Sequence, residues 1–181
     1  MKIDKLIFLD NDGVICLSNN WGSRFKKRKR FIKKNHNIPN SQLPLEFKFD
    51  DFDRKSINIL NDIIRETDCD IVVSSDWKLH ANLDELSQYY LSQGLIKRPI
   101  ACTPNMEIFD PESNDSHMFR RTLATKREIE IDKFLNDNDV NKWVAVDDLG
   151  MFNLVNFVHC PLENEGIKQC NIKEKILEFL K

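Results

Sequence analysis

The sequence predicts an α/β domain built on a mostly parallel sheet with helices on both faces. Three observations carry this. Leu6-Ile7-Phe8-Leu9, Ile71-Val72-Val73 and Trp143-Val144-Ala145-Val146 are short, unbroken apolar runs, as strands buried on both faces require. Each run stops on polar residues: Asp10 and Asp12, Ser74 and Ser75, Asp147 and Asp148. Between the runs, apolar residues recur at helical spacing, so strands alternate with helices and the crossovers make the sheet parallel.

Residues 53 to 67 carry Ile57, Leu60, Ile63 and Ile64 on one helical stripe. Leu79, Leu83, Leu86 and Tyr90 mark a second helix, with Gly94 as its stop. Pro99-Ile100-Ala101-Cys102 is a short strand, followed by a polar loop to about residue 124. Thr125-Lys126-Arg127-Glu128 has the form of a capping box, with Ile129, Ile131, Phe134 and Leu135 continuing a helix behind it. Asn156-Phe157-Val158-His159 reads as a further strand, and residues 171 to 180 as a final helix with its own Asn-x-x-Glu start.

Length and composition narrow the class. A chain of 181 residues fits one domain, 1–181, able to bury a core without disulfides or a structural metal. A formal net charge of −2 gives no global pull toward nucleic acid or anionic membranes. No apolar stretch approaches a membrane span, and the run before Asp10 is too short for a signal peptide. Cys16, Cys69, Cys102, Cys160 and Cys170 are scattered, with no CxxC pair; reduced thiols in a cytoplasmic compartment are expected, and no zinc site. His36, His80, His117 and His159 follow no ligand spacing and are expected to be structural or surface residues.

Ligands of open parallel sheets bind beyond the carboxyl ends of the strands, where the acids and serines lie. Asp10-Asn11-Asp12-Gly13 ends a strand on one carboxylate and turns at Gly13 to present a second. At one phosphorus, one such group can attack while the other moves a proton, although the same letters also make an ordinary turn. Adjacent Asp147 and Asp148 repel each other, a cost that a divalent cation removes. Magnesium takes one or two carboxylates plus phosphate and water oxygens. Ser74, Ser75 and Asn11 are the candidate phosphate binders. Lys126 and Arg127, in the first turn of a capped helix, would face a phosphate there or stand as exposed charges.

Taken together, Leu6 through Val14, Ile71 through Ser75, the pair Lys126-Arg127, and Val144 through Asp148 resemble, in order and spacing, the four motifs of the haloacid dehalogenase (HAD) superfamily. Within it, Ser74-Ser75-Asp76-Trp77-Lys78 and the helix from Glu130 to Leu135 resemble the HAD domain of Swiss army knife RNA repair proteins. That group has Arg where Lys78 stands and Gly where Glu128 stands. The resemblance implies a Rossmann-like HAD fold and a magnesium-dependent phosphatase. Asp10 would form an aspartyl-phosphate, and Asp12 would serve as general acid, then base. Magnesium would be held by Asp10, the Asp12 backbone carbonyl, and Asp147 or Asp148. Ser74 would bind a phosphoryl oxygen, and Lys126 or Arg127 would steady nucleophile and phosphate. Trp77 is read as a core aromatic.

About forty residues separate the first motif from the helix near residue 53, far more than a connection needs. This segment, 15–52, is expected to be a basic cap or flap. It contains Arg24 to Lys34, which on a helix would turn Phe25, Ile32 and Phe31 inward and its cations outward, toward nucleic acid or toward solvent alone. The expected substrate class is a nucleotide or nucleic-acid terminal phosphate. The rivals are a small-metabolite or 5′-nucleotide phosphatase, and a weakly active phosphate- or nucleic-acid-binding module. A response-regulator receiver fits poorly, because its acidic pair precedes the phosphorylated Asp.

Overall fold

The computed structural model describes residues 2–34, 44–107 and 116–181. Residues 35–43 of the expected insertion, with His36, and 108–115 of the expected polar loop lie outside them. Five strands form one parallel sheet: β1 (Lys2–Leu9), β2 (Asp70–Val73), β3 (Ala101–Cys102), β4 (Asp139–Asp147) and β5 (Phe157–His159), in the order β3-β2-β1-β4-β5. The helices are α1 (Ser23–Lys34), α2 (Arg54–Thr67), α3 (Leu83–Ser92), α4 (Ser116–Asp137) and α5 (Ile172–Leu180).

Strand alternation explains the unbroken apolar runs. Ile7, Leu9, Ile71, Val73, Val144 and Val146 face a core shared with α2, α3 and α5, while Leu6, Phe8, Val72 and Ala145 face a second core under α4. Both faces are dry, so polar alternation has no place in these strands. Phe8 meets Phe134 edge-on at 5.4 Å and Trp143 at 5.8 Å, which ties α4 to the sheet centre.

Register places the site. Leu9 pairs with Val73 on one side and Val146 on the other, so Asp10, Ser74 and Asp147 leave the sheet side by side. The chain runs outward from β1 to β3, then returns to add β4 on the opposite side of β1. The reversal point therefore lies between β1 and β4, the usual binding crevice of such sheets.

Capping departs from expectation at two helices. Thr125 is not an N-cap: α4 begins at Ser116, and Thr125 Oγ1 donates to the Arg121 carbonyl one turn back. Met118 to Ala124 contains no glycine or proline, so nothing stops the helix from extending through it. Asn171 precedes α5 in a left-handed conformation (φ 63°) and makes no side-chain cap bond. The box that forms is Asn82–Glu85 at the start of α3, where both reciprocal bonds are present.

The segment between β1 and α2 supplies α1, which is bound to the body through residues 47–51. Asp50 accepts the Arg24 amide at 2.7 Å and the Ser23 hydroxyl at 3.2 Å, Lys27 pairs with Asp51 at 2.6 Å, and Phe31 lies 4.8 Å from Phe47. Phe25 and Ile32 were expected to pack inward, but they are 59% and 41% exposed. Among the described residues, Phe31 is the one of the three that meets an aromatic ring, that of Phe47.

Candidate active site

The turn after β1 is built around one carbonyl. Asn11 O accepts the amides of Val14, Ile15 and Cys16, which closes the chain sharply and brings Asp12 back over the strand end. Gly13 makes this possible. Its φ is +75°, and a Cβ there would come within 2.8 Å of Asp148, so any side chain would push the β1 and β4 loops apart.

One carboxylate oxygen from each of Asp10, Asp147 and Asp148 lies within 4.8 Å of the others. Asp10 and Asp147 are buried, and Asp148 is nearly so. Burial raises the Asp10 carboxyl well above its usual value, with Asp147 adding and Arg127 opposing. Burial likewise raises Asp147 to about 7, against the pull of Arg127 and the Leu149 amide, and raises Asp148 despite its bond to Arg120. Three oxygens converging in a desolvated pocket, each resisting ionisation, are a donor set that fits a hard divalent cation. The Asp12 side chain stands outside this trio, so its place in a ligand set would rest on its backbone carbonyl.

Of the basic pair, Arg127 enters the site. Its Nη1 lies 2.9 Å from Asp10 Oδ1 and 3.2 Å from Asp147 Oδ2, bridging the ends of β1 and β4. Burial alone would lower its guanidinium, but Asp147 and Asp10 outweigh that and hold it above its ordinary value. Lys126 is one position off the buried stripe and lies 3.9 Å from Glu130. Neither residue sits in a first turn as the sequence suggested, since both lie deep within α4.

Ser74 Oγ is buried and, among the described residues, has no hydrogen-bond partner. An orphaned hydroxyl one strand from Asp10 suits a phosphoryl oxygen, because a buried donor without an acceptor costs stability. Ser75 is also buried and begins a short 3₁₀ turn. The Asn11 side-chain oxygen accepts the Tyr90 hydroxyl at 2.5 Å, while its buried Nδ2, like Ser74 Oγ, has no hydrogen-bond partner among the described residues and is a second donor suited to a phosphoryl oxygen.

Sequence reasoning missed several supporting groups. Trp77 is a core aromatic, stacked on Phe49 at 4.4 Å, but its indole N–H also donates to Asp12 Oδ2 at 2.8 Å. Burial raises Asp12 above its ordinary value, and the bonds from Trp77 and Cys16 partly offset this. Lys78 and Glu130 form a buried ion pair at 2.5 Å; Lys78 also donates to Thr103 and Pro104, and Glu130 accepts the Met106 amide. This staple joins α4 to the loops after β2 and β3, one turn from Arg127. Arg120 bridges Asp148 at 2.9 Å and Glu163 at 3.0 Å. Helical phase alone could have placed Arg127, because 127 shares a stripe with Ala124, Ile131 and Phe134. No local pattern marks Trp77 or Arg120.

A parallel sheet whose reversal point holds clustered carboxylates, a buried arginine and a strand-end serine defines a hydrolase domain of the HAD type. The chain belongs to the family described as the HAD domain in Swiss Army Knife RNA repair proteins, whose model matches residues 6–168. No curated protein and no solved structure matches it.

Proposed function

We propose that this domain hydrolyses phosphate monoesters through Asp10 and acts on the terminal phosphate of a nucleotide or nucleic acid. The observation that carries the reading is Arg127 Nη1 set between Asp10 and Asp147 beside the orphaned Ser74 hydroxyl. That arrangement offers positive charge and a donor where a phosphoryl group would meet the nucleophile.

In the first half-reaction an Asp10 oxygen bonds to phosphorus as the bond to the leaving oxygen breaks, and Asp12 delivers its proton to that oxygen. Burial raises the Asp12 carboxyl, which favours the proton-bearing form that this step needs. In the second, Asp12 takes a proton from water as the water oxygen attacks phosphorus. The Asp10–phosphorus bond then breaks, which regenerates the carboxylate and releases phosphate. Arg127 holds Asp10 in place and shares the phosphoryl charge, and Ser74 donates to a phosphoryl oxygen. Magnesium held by Asp10, Asp147, Asp148 and the Asp12 carbonyl would neutralise the trio and the substrate phosphate.

The preference for nucleic acid rests on α1. Arg24, Lys26 to Arg30, Lys33 and Lys34 share this helix with no acid, and Trp21 and Phe25 stand exposed beside them. Polyanion binding there would weaken with salt, by a log–log slope of about −0.7 per phosphate contacted on a single strand. The five unpaired thiols suit a reducing, cytoplasmic compartment.

Hydrolysis of a generic aryl phosphate, with magnesium, with EDTA and in Asp10→Asn, tests the chemistry. Metal-dependent turnover that disappears in the variant is expected. Turnover that survives Asp10→Asn would remove Asp10 as nucleophile. Neutralising Lys26, Lys27, Arg28, Lys29 and Arg30 should flatten the salt dependence of oligonucleotide binding, and an unchanged slope would remove α1 from the interface.

A further inference from the structure

A cleft of about 630 Å³ opens beside Asp148, between α4 and the chain from Gly150 to Pro161. That volume is of the size that takes a small organic ligand. One wall is α4, with Arg120, Arg121 and Thr125, and the facing wall carries Phe152. Asp148 of the acid cluster borders the cleft, with Arg120 paired to its carboxylate at 2.9 Å and the His159 ring 3.0 Å from its carbonyl.

Phe152 is 77% exposed, yet its ring has three neighbours: Phe157, His159 and Gly150. Its ring meets His159 edge-on at 5.6 Å and Phe157 at 6.2 Å. It lies over the Gly150 backbone so closely that a Cβ there would come within 2.5 Å of the ring. The next residue, Asn153, is fixed by buried Glu128, which accepts both its side-chain amide at 2.7 Å and its backbone amide at 3.2 Å. Glu128 is only 6% exposed, so the loop that carries Phe152 is anchored to α4 by a buried carboxylate. Arg121 stands exposed on the opposite wall, and among the described residues it forms no ion pair. Arg120 is engaged with Asp148 and Glu163, at the boundary between cleft and acids.

We infer that this cleft is the leaving-group subsite: the nucleobase of the terminal nucleotide stacks on Phe152, and Arg121 meets the next phosphate along the strand. This rests on the proposed phosphatase reading and deepens it by naming what lies beyond the scissile oxygen. Stacking on an exposed, braced ring suits any base, since every base has a π-face, and an arginine without a carboxylate partner suits a phosphodiester. The chemistry is that of a single-stranded end.

The test is equilibrium binding, by fluorescence anisotropy, of labelled tetranucleotides to Asp10→Asn protein with magnesium. The ligands carry a terminal phosphate at the 3′ or the 5′ end, as RNA or DNA, each with an intact or an abasic terminal nucleotide. Loss of the terminal base should weaken binding about five- to a hundredfold for the end that fits. Adding Phe152→Ala should collapse that ratio to within about twofold, and Phe152→Trp should restore it, as expected of a stacking contact. Gly150→Ala, which displaces the ring, should act like Phe152→Ala, and Arg121→Gln should reduce the salt slope by about 0.7. Binding indifferent to the terminal base, or base discrimination that survives both Phe152→Ala and Gly150→Ala, overturns the subsite. So does failure of every tetranucleotide to bind while wild type still hydrolyses aryl phosphate, which leaves the phosphatase standing. Absence of aryl phosphate turnover in wild type counts against the phosphatase, whatever the tetranucleotides do.

Discussion

Removing the charge of Asp147 should make the metal-free protein less sensitive to pH. Asp147 is 1% exposed, and burial raises its carboxyl from 3.8 to about 7. A carboxyl whose folded value is raised holds the native state best when protonated. Its contribution is complete below its unfolded value and is lost as pH climbs through the folded one. Between about pH 5.5 and 7 this amounts to about 1.5 units, or about 2 kcal/mol at about 1.4 kcal/mol per unit. For a chain of this size that corresponds to a fall of about 4–8 °C in Tm between about pH 5.5 and 8. Asp10 and Asp148 shift in the same direction, so the loss belongs to the three acids as a unit. Asp147→Asn keeps an oxygen for the Leu149 amide while removing one charge, and the Tm drop should shrink by half or more. Magnesium should oppose the drop in wild type, with its largest stabilisation at pH 8. Thermal melts with EDTA and with magnesium at both pH values measure this. Equal Tm drops in wild type and Asp147→Asn, with no effect of magnesium, would refute the account of the cluster as strained carboxylates awaiting a cation.

Three further outcomes follow from the geometry. Arg127→Ala should cost about 10² to 10³ in kcat with aryl phosphate, while Lys126→Ala should change it less than about threefold, as steady-state kinetics would show. Trp77→Phe keeps the stack on Phe49 but removes the donor to Asp12. The Asp12 value then rises further, and the pH–kcat limb belonging to Asp12 should move to higher pH; an unmoved limb would detach Trp77 from the acid. Thr125→Ala should leave stability within about 0.5 kcal/mol or raise it, because alanine is the better helix former. A loss of about 1 kcal/mol in denaturant unfolding would instead restore Thr125 as a cap.

The strands were legible because burial on both faces leaves an unambiguous mark: Leu6 to Leu9 and Val144 to Val146 are apolar without a break. The acids were legible because strand ends in such sheets are where polar groups gather. Helix beginnings were less legible. Three Asn/Thr-x-x-Glu strings occur, at 82, 125 and 171, and only the one at Asn82 makes the reciprocal bonds. Such a string records local preference, whereas the packing of Ala124, Ile131 and Phe134 fixes where α4 runs. Trp77 and Arg120 escaped for a different reason. Each meets its acid across a large sequence separation, Trp77 to Asp12 over 65 residues and Arg120 to Asp148 over 28, and no local string encodes such a meeting.

The unbroken run of α4 from Ser116 to Asp137 has a mechanical consequence. Arg120 at the cleft, Arg127 at Asp10 and Glu130 in the staple are fixed to one rigid rod. Arg120 and Arg127 are separated along it by two turns, roughly 10 Å at about 1.5 Å per residue. The rod is a ruler: the interval between Asp10 and the cleft is set by a count of residues. Lengthening it by one residue between Leu123 and Arg127 would swing the two arginines about 100° out of phase and disengage one from its acid. Under the proposed function, a change of leaving group is therefore open to evolution at the loop carrying Phe152, whereas the length of α4 is constrained by the two arginines that it spaces.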